Sequence, residues 1–448
     1  MEPRTKGRQP PEPGWLDRSM RLFGDVHAGE GVNILLMFLN VYFLLMAYYI
    51  LKTVREPLIL TGGGAELKSY AAAFQAVVLI AYVPLYGWLA SRLPRQKLIV
   101  AVVLFFTGCI QVFAAAVAMG LPYIGFTFFV WLGIFSVSVI AQFWSYANDI
   151  YSQSDGKRLF PLIAVGSTAG APIGAAVAGW LYNAGVGSYW MMQLASALLL
   201  VHLALYILIN RRAISRDVER EKAKPLSDGN GFALVFRNRY LLLIGGLLVL
   251  LNIVNTTGEY ILGRSVLDYA GELAARSAEF DTEAFIGGFY GSFFFWVNIA
   301  TVVIQAFFVS RLVKYLGMAG ALFALPIIAL GTYSLVAMGA GFAILRITKL
   351  AENATDYSVM NTVKQMLWLP TTRAEKYKAK QAIDTFFVRA GDVVSGLLVF
   401  AGTQWLALDV IGFGKANVLF VVLWIVLAAL LFKKYKDVTD QENGILQR

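Results

Sequence analysis

Arg211-Arg212-Ala213-Ile214-Ser215-Arg216-Asp217-Val218-Glu219-Arg220-Glu221-Lys222-Ala223-Lys224-Pro225-Leu226-Ser227-Asp228-Gly229-Asn230-Gly231 is the one long polar interval between the apolar runs of this chain. Its charges, followed by turn-forming residues, exclude a helix buried in hydrocarbon. On either side, apolar windows recur at the length that crosses a bilayer core, about 20 helical residues each. Before the interval they fall at 31–55, 69–90, 97–119, 122–149, 160–183 and 188–209. After it they fall at 241–266, 284–309, 315–338, 341–366, 380–404 and 413–433. The expected fold is an all-α membrane protein with twelve transmembrane helices in two six-helix halves. Its parts are an N-terminal tail (1–30), a first bundle (31–209), a linker (210–240), a second bundle (241–433) and a C-terminal tail (434–448).

Composition agrees with this reading. The 448 residues are 58% hydrophobic and 15% charged, with a mean hydropathy of +0.63, where a soluble domain carries about 25% charged residues. The net charge of +10 does not point to nucleic acid, because the cations gather in short loops. Ser91–Lys97, Gln153–Arg158, the 210–240 linker, Ser310–Lys314, Arg373–Lys380 and Lys433–Lys436 are all basic-rich, as cytoplasmic loops are. The opposite loops are cation-poor, and the longest, Asp268–Ala284, sets Glu272, Glu279, Asp281 and Glu283 against Arg276. Both termini are therefore expected in the cytoplasm, in a multi-pass protein of a bacterial inner membrane. The first thirty residues, with Arg4, Lys6, Arg8, Arg18 and Arg21, read as a cytoplasmic tail before an uncleaved signal anchor. Cys109, His27 and His202 are the whole complement of cysteine and histidine, so neither metal nor haem chemistry nor a disulfide is expected. No nucleotide-binding glycine-lysine loop is present. An enzyme would gather its ionisable residues at one membrane face, whereas here they spread along several helices. The expected partners are the bilayer and a small solute, for a monomer without a cofactor.

Those intramembrane charges are the functional signal. Each costs from about 2.5 to over 10 kcal/mol in hydrocarbon, so such residues face a protein interior or a wet cavity. At about 100° per residue, Arg346, Lys349, Asn353, Asp356 and Lys364 of the tenth span share a stripe, with Glu352 at its edge. Glu352 and Asp356 are spaced to share a proton. The eleventh span holds Arg389 and Asp392, with Asp384 nearer the cytoplasm. The first span ends in Lys52-Thr53-Val54-Arg55-Glu56-Pro57, where proline is expected to break the helix. A structural alternative makes Lys52 and Glu56 an interfacial pair with the lysine reaching outward. Glu259 and Arg264 occupy the equivalent place in the seventh span. Gly166, Gly170 and Gly174 read as a close-packing stripe. Trp144 and Tyr146 read as packing or interface aromatics, with stacking on a planar ligand as the alternative.

The halves resemble one another. Ser91-Arg92-Leu93 after the second span returns as Ser310-Arg311-Leu312 after the eighth, and Tyr49-Ile50-Leu51 returns as Tyr260-Ile261-Leu262. Six-helix halves joined by a cytoplasmic linker describe the major facilitator architecture. Gly87-Trp88-Leu89-Ala90-Ser91-Arg92-Leu93-Pro94-Arg95-Gln96-Lys97 resembles that superfamily's loop between helices two and three, with Ser91 in place of the usual aspartate.

A narrower resemblance lies in Tyr49–Thr61 with Gly64-Ala65-Glu66, and in Phe143-Trp144, Ala147-Asn148, Lys157 and Phe160-Pro161-Leu162. It is strongest in Tyr357-Ser358, Lys364-Gln365-Met366, Pro370, Lys376, Lys378, Lys380 and Ala382-Ile383-Asp384. These patches resemble the ATP/ADP translocase family of nucleotide transporters. The resemblance implies cations in helices one and eleven and acids in helices four and seven that serve nucleotide transport. Arg55 stands at the helix-one cation and Glu259 at the helix-seven acid, but the other two positions fall near Leu132 and Asp392. The expected function is an alternating-access secondary transporter of an anionic solute, with ATP/ADP-type exchange as the specific form. A proton-coupled carrier of another solute on the same scaffold is the alternative. Lys52, Arg55, Glu259, Lys349 and Arg389 are the expected substrate-binding residues, and Glu352, Asp356 and Asp392 the coupling or charge-balancing acids.

Overall fold

The computed structural model describes residues 14–22, 25–92, 94–213, 231–372 and 375–446. Most of the polar interval, 214–230, and residues 373–374 of the basic loop lie outside them. The described residues are helical throughout, without a strand. In chain order the first seven helices are α1 (Trp15–Met20), α2 (Gly31–Arg92), α3 (Arg95–Ala118), α4 (Ile124–Ile150), α5 (Gln153–Asn183), α6 (Ser188–Ala213) and α7 (Gly231–Arg237). They are followed by α8 (Arg239–Ala274), α9 (Thr282–Val303), α10 (Val309–Ala337), α11 (Phe342–Thr355), α12 (Asn361–Met366), α13 (Lys380–Ala382), α14 (Val388–Gln404) and α15 (Val410–Leu446). Single π-helical turns, Ile304–Phe308, Asp356–Met360 and Ile383–Phe387, join α9 to α10, α11 to α12 and α13 to α14. Nine stretches among the described residues are long and apolar enough to cross a bilayer.

Two of the nine are too long to be single crossings. Straight, the 62 residues of α2 would reach roughly 90 Å, three times the hydrocarbon core. The break falls at Gly64 (φ 79°, ψ −176°), a conformation essentially closed to residues with a Cβ. The helix therefore does not end among Lys52–Pro57, as the proline led us to expect. It continues through Pro57 because hydrocarbon offers no water to unpaired backbone groups, and the Thr61 hydroxyl bonds the Pro57 carbonyl at 2.8 Å. Likewise Gly317 (φ 64°, ψ −163°) interrupts α10. The N-terminal tail is structured around Asp17. Its carboxylate accepts from the backbone N–H groups of Gly31 (2.7 Å), Gly29 (2.9 Å) and Gly14 (2.9 Å), which hold it below the usual carboxylate range and tie α1 to the start of α2. At the other end α15 carries the helix through Leu446, into the expected tail.

Buried side chains form two clusters. One lies wholly within 26–209 and centres on rings such as Phe106, Phe128 and Phe135. The other runs from Val235 to Leu431 and takes in Ile59, Leu60, Ala65, Ala71, Phe129 and Ala175 from the earlier helices. Lipid tails are as apolar as leucine, so packing rather than water exclusion holds such helices together. The stripe Gly166, Gly170 and Gly174 shows how. A Cβ at any of them would stand 2.3 to 2.4 Å from the carbonyl oxygens of Phe38, Tyr42 and Met46 on α2.

Candidate functional site

The clusters enclose a polar cavity of about 320 Å³. The first arm of α2 supplies Tyr48, Lys52 and Arg55, spaced to share one face. The second arm, after Gly64, supplies Lys68, Ser69 and Gln75. From α8 come Asn252, Asn255, Thr256 and Glu259, again one face, and from α14 Arg389 and Asp392. Phe129, Phe294, Asn353 and Tyr357 complete the wall.

Most of these charges are paired. Arg55 bonds Glu56 through Nε at 2.9 Å and stacks on Phe129, its guanidinium carbon 4.4 Å from the ring centre. Lys68 Nζ lies 2.7 Å from Glu56 and 3.5 Å from Glu259. It is thus in contact with an acid on α2 and another on α8. Glu259 also accepts from Asn353 Nδ2 at 3.1 Å and lies 3.9 Å from Lys349. Arg389 reaches Asp392 at 3.3 Å, and Asp392 accepts from the Thr256 hydroxyl at 2.9 Å. Lys52 differs. Among the described residues it has no carboxylate within ion-pair distance, and its ammonium stands over the rings of Phe294 (4.5 Å), Tyr49 (5.0 Å) and Tyr357 (5.9 Å). It neither pairs with Glu56 nor reaches outward.

Lys349 and Glu352 do not line the cavity. Lys349 is fully buried behind it, bonded to Glu352 at 2.9 Å and to Asn255 Oδ1 at 3.1 Å. Glu352 also accepts from the Tyr333 hydroxyl at 2.9 Å. Nor does Asp356. The π-helical turn that begins there shifts the helical register, so the expected single stripe is broken. Asp356 lies 3.4 Å from Lys364, and both line a second cavity of about 280 Å³ with Lys380 and Asp384. Asn252 borders both cavities. Glu352 and Asp356 thus each match a cation of their own rather than sharing a proton. Arg346 bonds the Ser292 hydroxyl at 3.3 Å, also outside the cavity wall.

Sequence reasoning missed Lys68, because it placed a loop from Glu56 to Lys68. With the helix carried to Gly63, Lys68 falls one turn inside the second arm. The run Gly62-Gly63-Gly64 was the available signal. Trp144 borders a separate groove with Asn148 and Phe160, and Tyr146 is buried edge-on against Tyr206 at 4.7 Å.

At the cation-poor end the helices meet directly. Glu66 accepts from Arg264 (3.1 Å) and Tyr260 (3.0 Å), and the Ser188 hydroxyl bonds Glu283 at 2.6 Å. There α5 and α9 cross so closely that a Cβ on Gly291 would lie 2.4 Å from the Gly179 Cα.

The sequence profile of the Major Facilitator Superfamily matches residues 32–369. The chain belongs to the major facilitator superfamily. Among solved members of this fold, an auto-inhibited POT family peptide transporter superposes with a TM-score of 0.66 at 12% identity, covering 91% of this chain and 97% of that one. The nucleoside transporter NupG gives 0.59 at 13% identity, covering 90% and 99%. Closer in sequence are the ADP,ATP carrier proteins 1 of Chlamydia trachomatis serovar D and Chlamydia muridarum, each 26% identical over 84% of both chains. The ADP,ATP carrier protein 2 of Chlamydia pneumoniae is 21% identical over 92% of this chain and 90% of its own length. This facilitator is therefore a multi-pass integral membrane protein and a membrane transporter by family. Of the four positions the translocase resemblance singles out, Arg55, Glu259 and Asp392 line the facilitator's cavity, while Leu132 is buried in the first cluster.

Proposed function

We propose that the protein is a secondary active transporter that carries an anionic solute by alternating access and exchanges ATP/ADP-type nucleotides. Twelve crossings are obtained when the arms flanking Gly64 are counted separately, as are those before and after the π turn at Ile304, and the charged α11–α12 segment is added. The two halves, 31–209 and 241–433, then rock about the cavity, the 210–240 linker and both termini lie in the cytoplasm of a bacterial inner membrane, and the cation-poor end faces outward. In the state described, that outer end is shut.

The observation that carries the reading is the cavity's charge. Lys52, Arg55, Lys68 and Arg389 line it against only Glu259 and Asp392, while Glu56 lies fully buried. Lys52, without a carboxylate of its own, is free to meet a substrate anion, and Phe294 and Tyr357 beside it offer flat apolar surface. Arg389 and Lys68 can exchange a carboxylate for a substrate oxygen. Lys349 and Glu352 act from behind, fixing Asn255 and Glu259. Exchange needs no hydrolysis, since one solute's gradient drives the other through a site open to one side at a time.

Proteoliposomes test it. Vesicles loaded with ADP are expected to take up labelled ATP, and empty vesicles to take up little. If folded protein takes up no nucleotide under either condition, the exchange reading fails. Uptake that follows a pH gradient without an internal counter-substrate would instead identify a proton-coupled carrier.

A further inference from the structure

Away from the central cavity, a groove of about 600 Å³ opens between α3 and α6. Its mouth carries Gln96, Lys97, Asn210 and Arg211 at the helix ends, and neither Lys97 nor Arg211 has a partner among the described residues. Deeper in, the walls turn apolar with Val100, Ala101, Leu104 and Ile207. Leu104 is two turns beyond Lys97, roughly 10 Å along the axis. Leu104 and Ile207 remain 49% and 37% exposed, on the face these helices turn away from the core. Among the described residues no carboxylate lines the groove.

The ligand must match this gradient: a negative head held by two cations, continued by a chain lying in an apolar channel at hydrocarbon depth. A small soluble anion has no use for the apolar walls. A zwitterionic lipid would bring an ammonium that finds no acid. Basic pockets between transmembrane helices at a membrane face commonly hold anionic headgroups. We infer that the α3–α6 groove is a binding site for an anionic phospholipid, with Lys97 and Arg211 holding the phosphate and Val100, Leu104 and Ile207 seating an acyl chain. The inference goes beyond the transport reading and stands whichever solute is carried.

Each cation near a charged headgroup adds about five-fold to binding, so the pair should favour an anionic lipid by roughly 20- to 30-fold. Purified protein in neutral detergent can be titrated with phosphatidylglycerol, with phosphatidylcholine of the same chains and with glycerol 3-phosphate, reading bound lipid by native mass spectrometry. Phosphatidylglycerol should bind at about the stated fold lower concentration than phosphatidylcholine. The double variant K97Q/R211Q should bring that ratio close to one. Ala101→Trp, which fills the groove and keeps both cations, should reduce retention of both lipids. Equal binding of the two lipids, or an undiminished preference in K97Q/R211Q, overturns the site. Glycerol 3-phosphate competing as well as the lipid would show a small-anion site instead. Should K97Q/R211Q fail to fold, unchanged lipid retention in Ala101→Trp overturns the inference by itself.

Discussion

Two lysines on facing helices answer to different physics. Lys349 is fully buried, with Glu352 and Asn255 in contact. Removing one member of such a pair leaves an uncompensated charge and costs about 3–5 kcal/mol. Lys349→Ala is therefore expected to lower thermal stability in detergent strongly, whatever the solute. Lys52 leaves no carboxylate behind when it is removed. Lys52→Gln should fold with near-normal stability but lose solute affinity by roughly 10- to 100-fold, the worth of one charge-assisted contact, while Lys52→Arg keeps much of it. Binding titration beside thermal unfolding separates the two. Equal stability losses in Lys52→Gln and Lys349→Ala would remove the distinction.

At the scale of helices, the informative places are the irregular ones. Gly64 holds α2 in a conformation that costs a residue with a Cβ on the order of 1–3 kcal/mol, and its added Cβ would meet Glu66 Oε2 at 3.0 Å. Gly62, two residues earlier, is helical with open space around it. Gly62→Ala should be neutral or stabilising by up to about 1 kcal/mol, and Gly64→Ala destabilising, in paired thermal melts. If both behave alike, the break does not depend on Gly64. Much of this scale was legible beforehand. The apolar windows gave the helices, the stripe Gly166–Gly174 gave its close approach, and Arg389–Asp392 gave its pair. What misled was Pro57, because a rule learned from water understates how strongly a low-dielectric medium keeps backbone bonds closed. The π-helical turn after Thr355 has no compositional signature. Without it Asp356 and Lys364 would have stayed on the stripe that the sequence draws.

For the molecule as a whole, the question is what links the two proposed halves. Glu259 on α8 is the acid nearest Lys68 across the cavity and is also within reach of Lys349. Glu259→Gln would leave Lys68 with Glu56 and Lys349 with Glu352, so every cation keeps a carboxylate. Its effect should fall on the balance between states rather than on folding. A bond to a charged group is worth about 1.5 kcal/mol or more, which is roughly a ten-fold rise in the fraction open at the cation-poor end. Nitroxides at Y123C and M338C on a Cys109→Ser background, both exposed at that end, would report it as growth of the longer distances. An unchanged distribution would mean that Glu259 does not hold the halves together. The sequence carried the chain to its superfamily and placed Arg55 and Glu259, yet it could not show Lys68, whose role depends on two arms folding back around a glycine.

The crossing of α5 and α9 at Gly179 and Gly291 has a mechanical meaning. Elsewhere helices meet through side chains, which can change rotamer and yield. Here main chain rests on main chain, whose dimensions covalent geometry fixes. The shut position is thereby a hard stop rather than a cushion, and it returns to the same spacing on every closure. Compliance is left to the opposite end of the bundle.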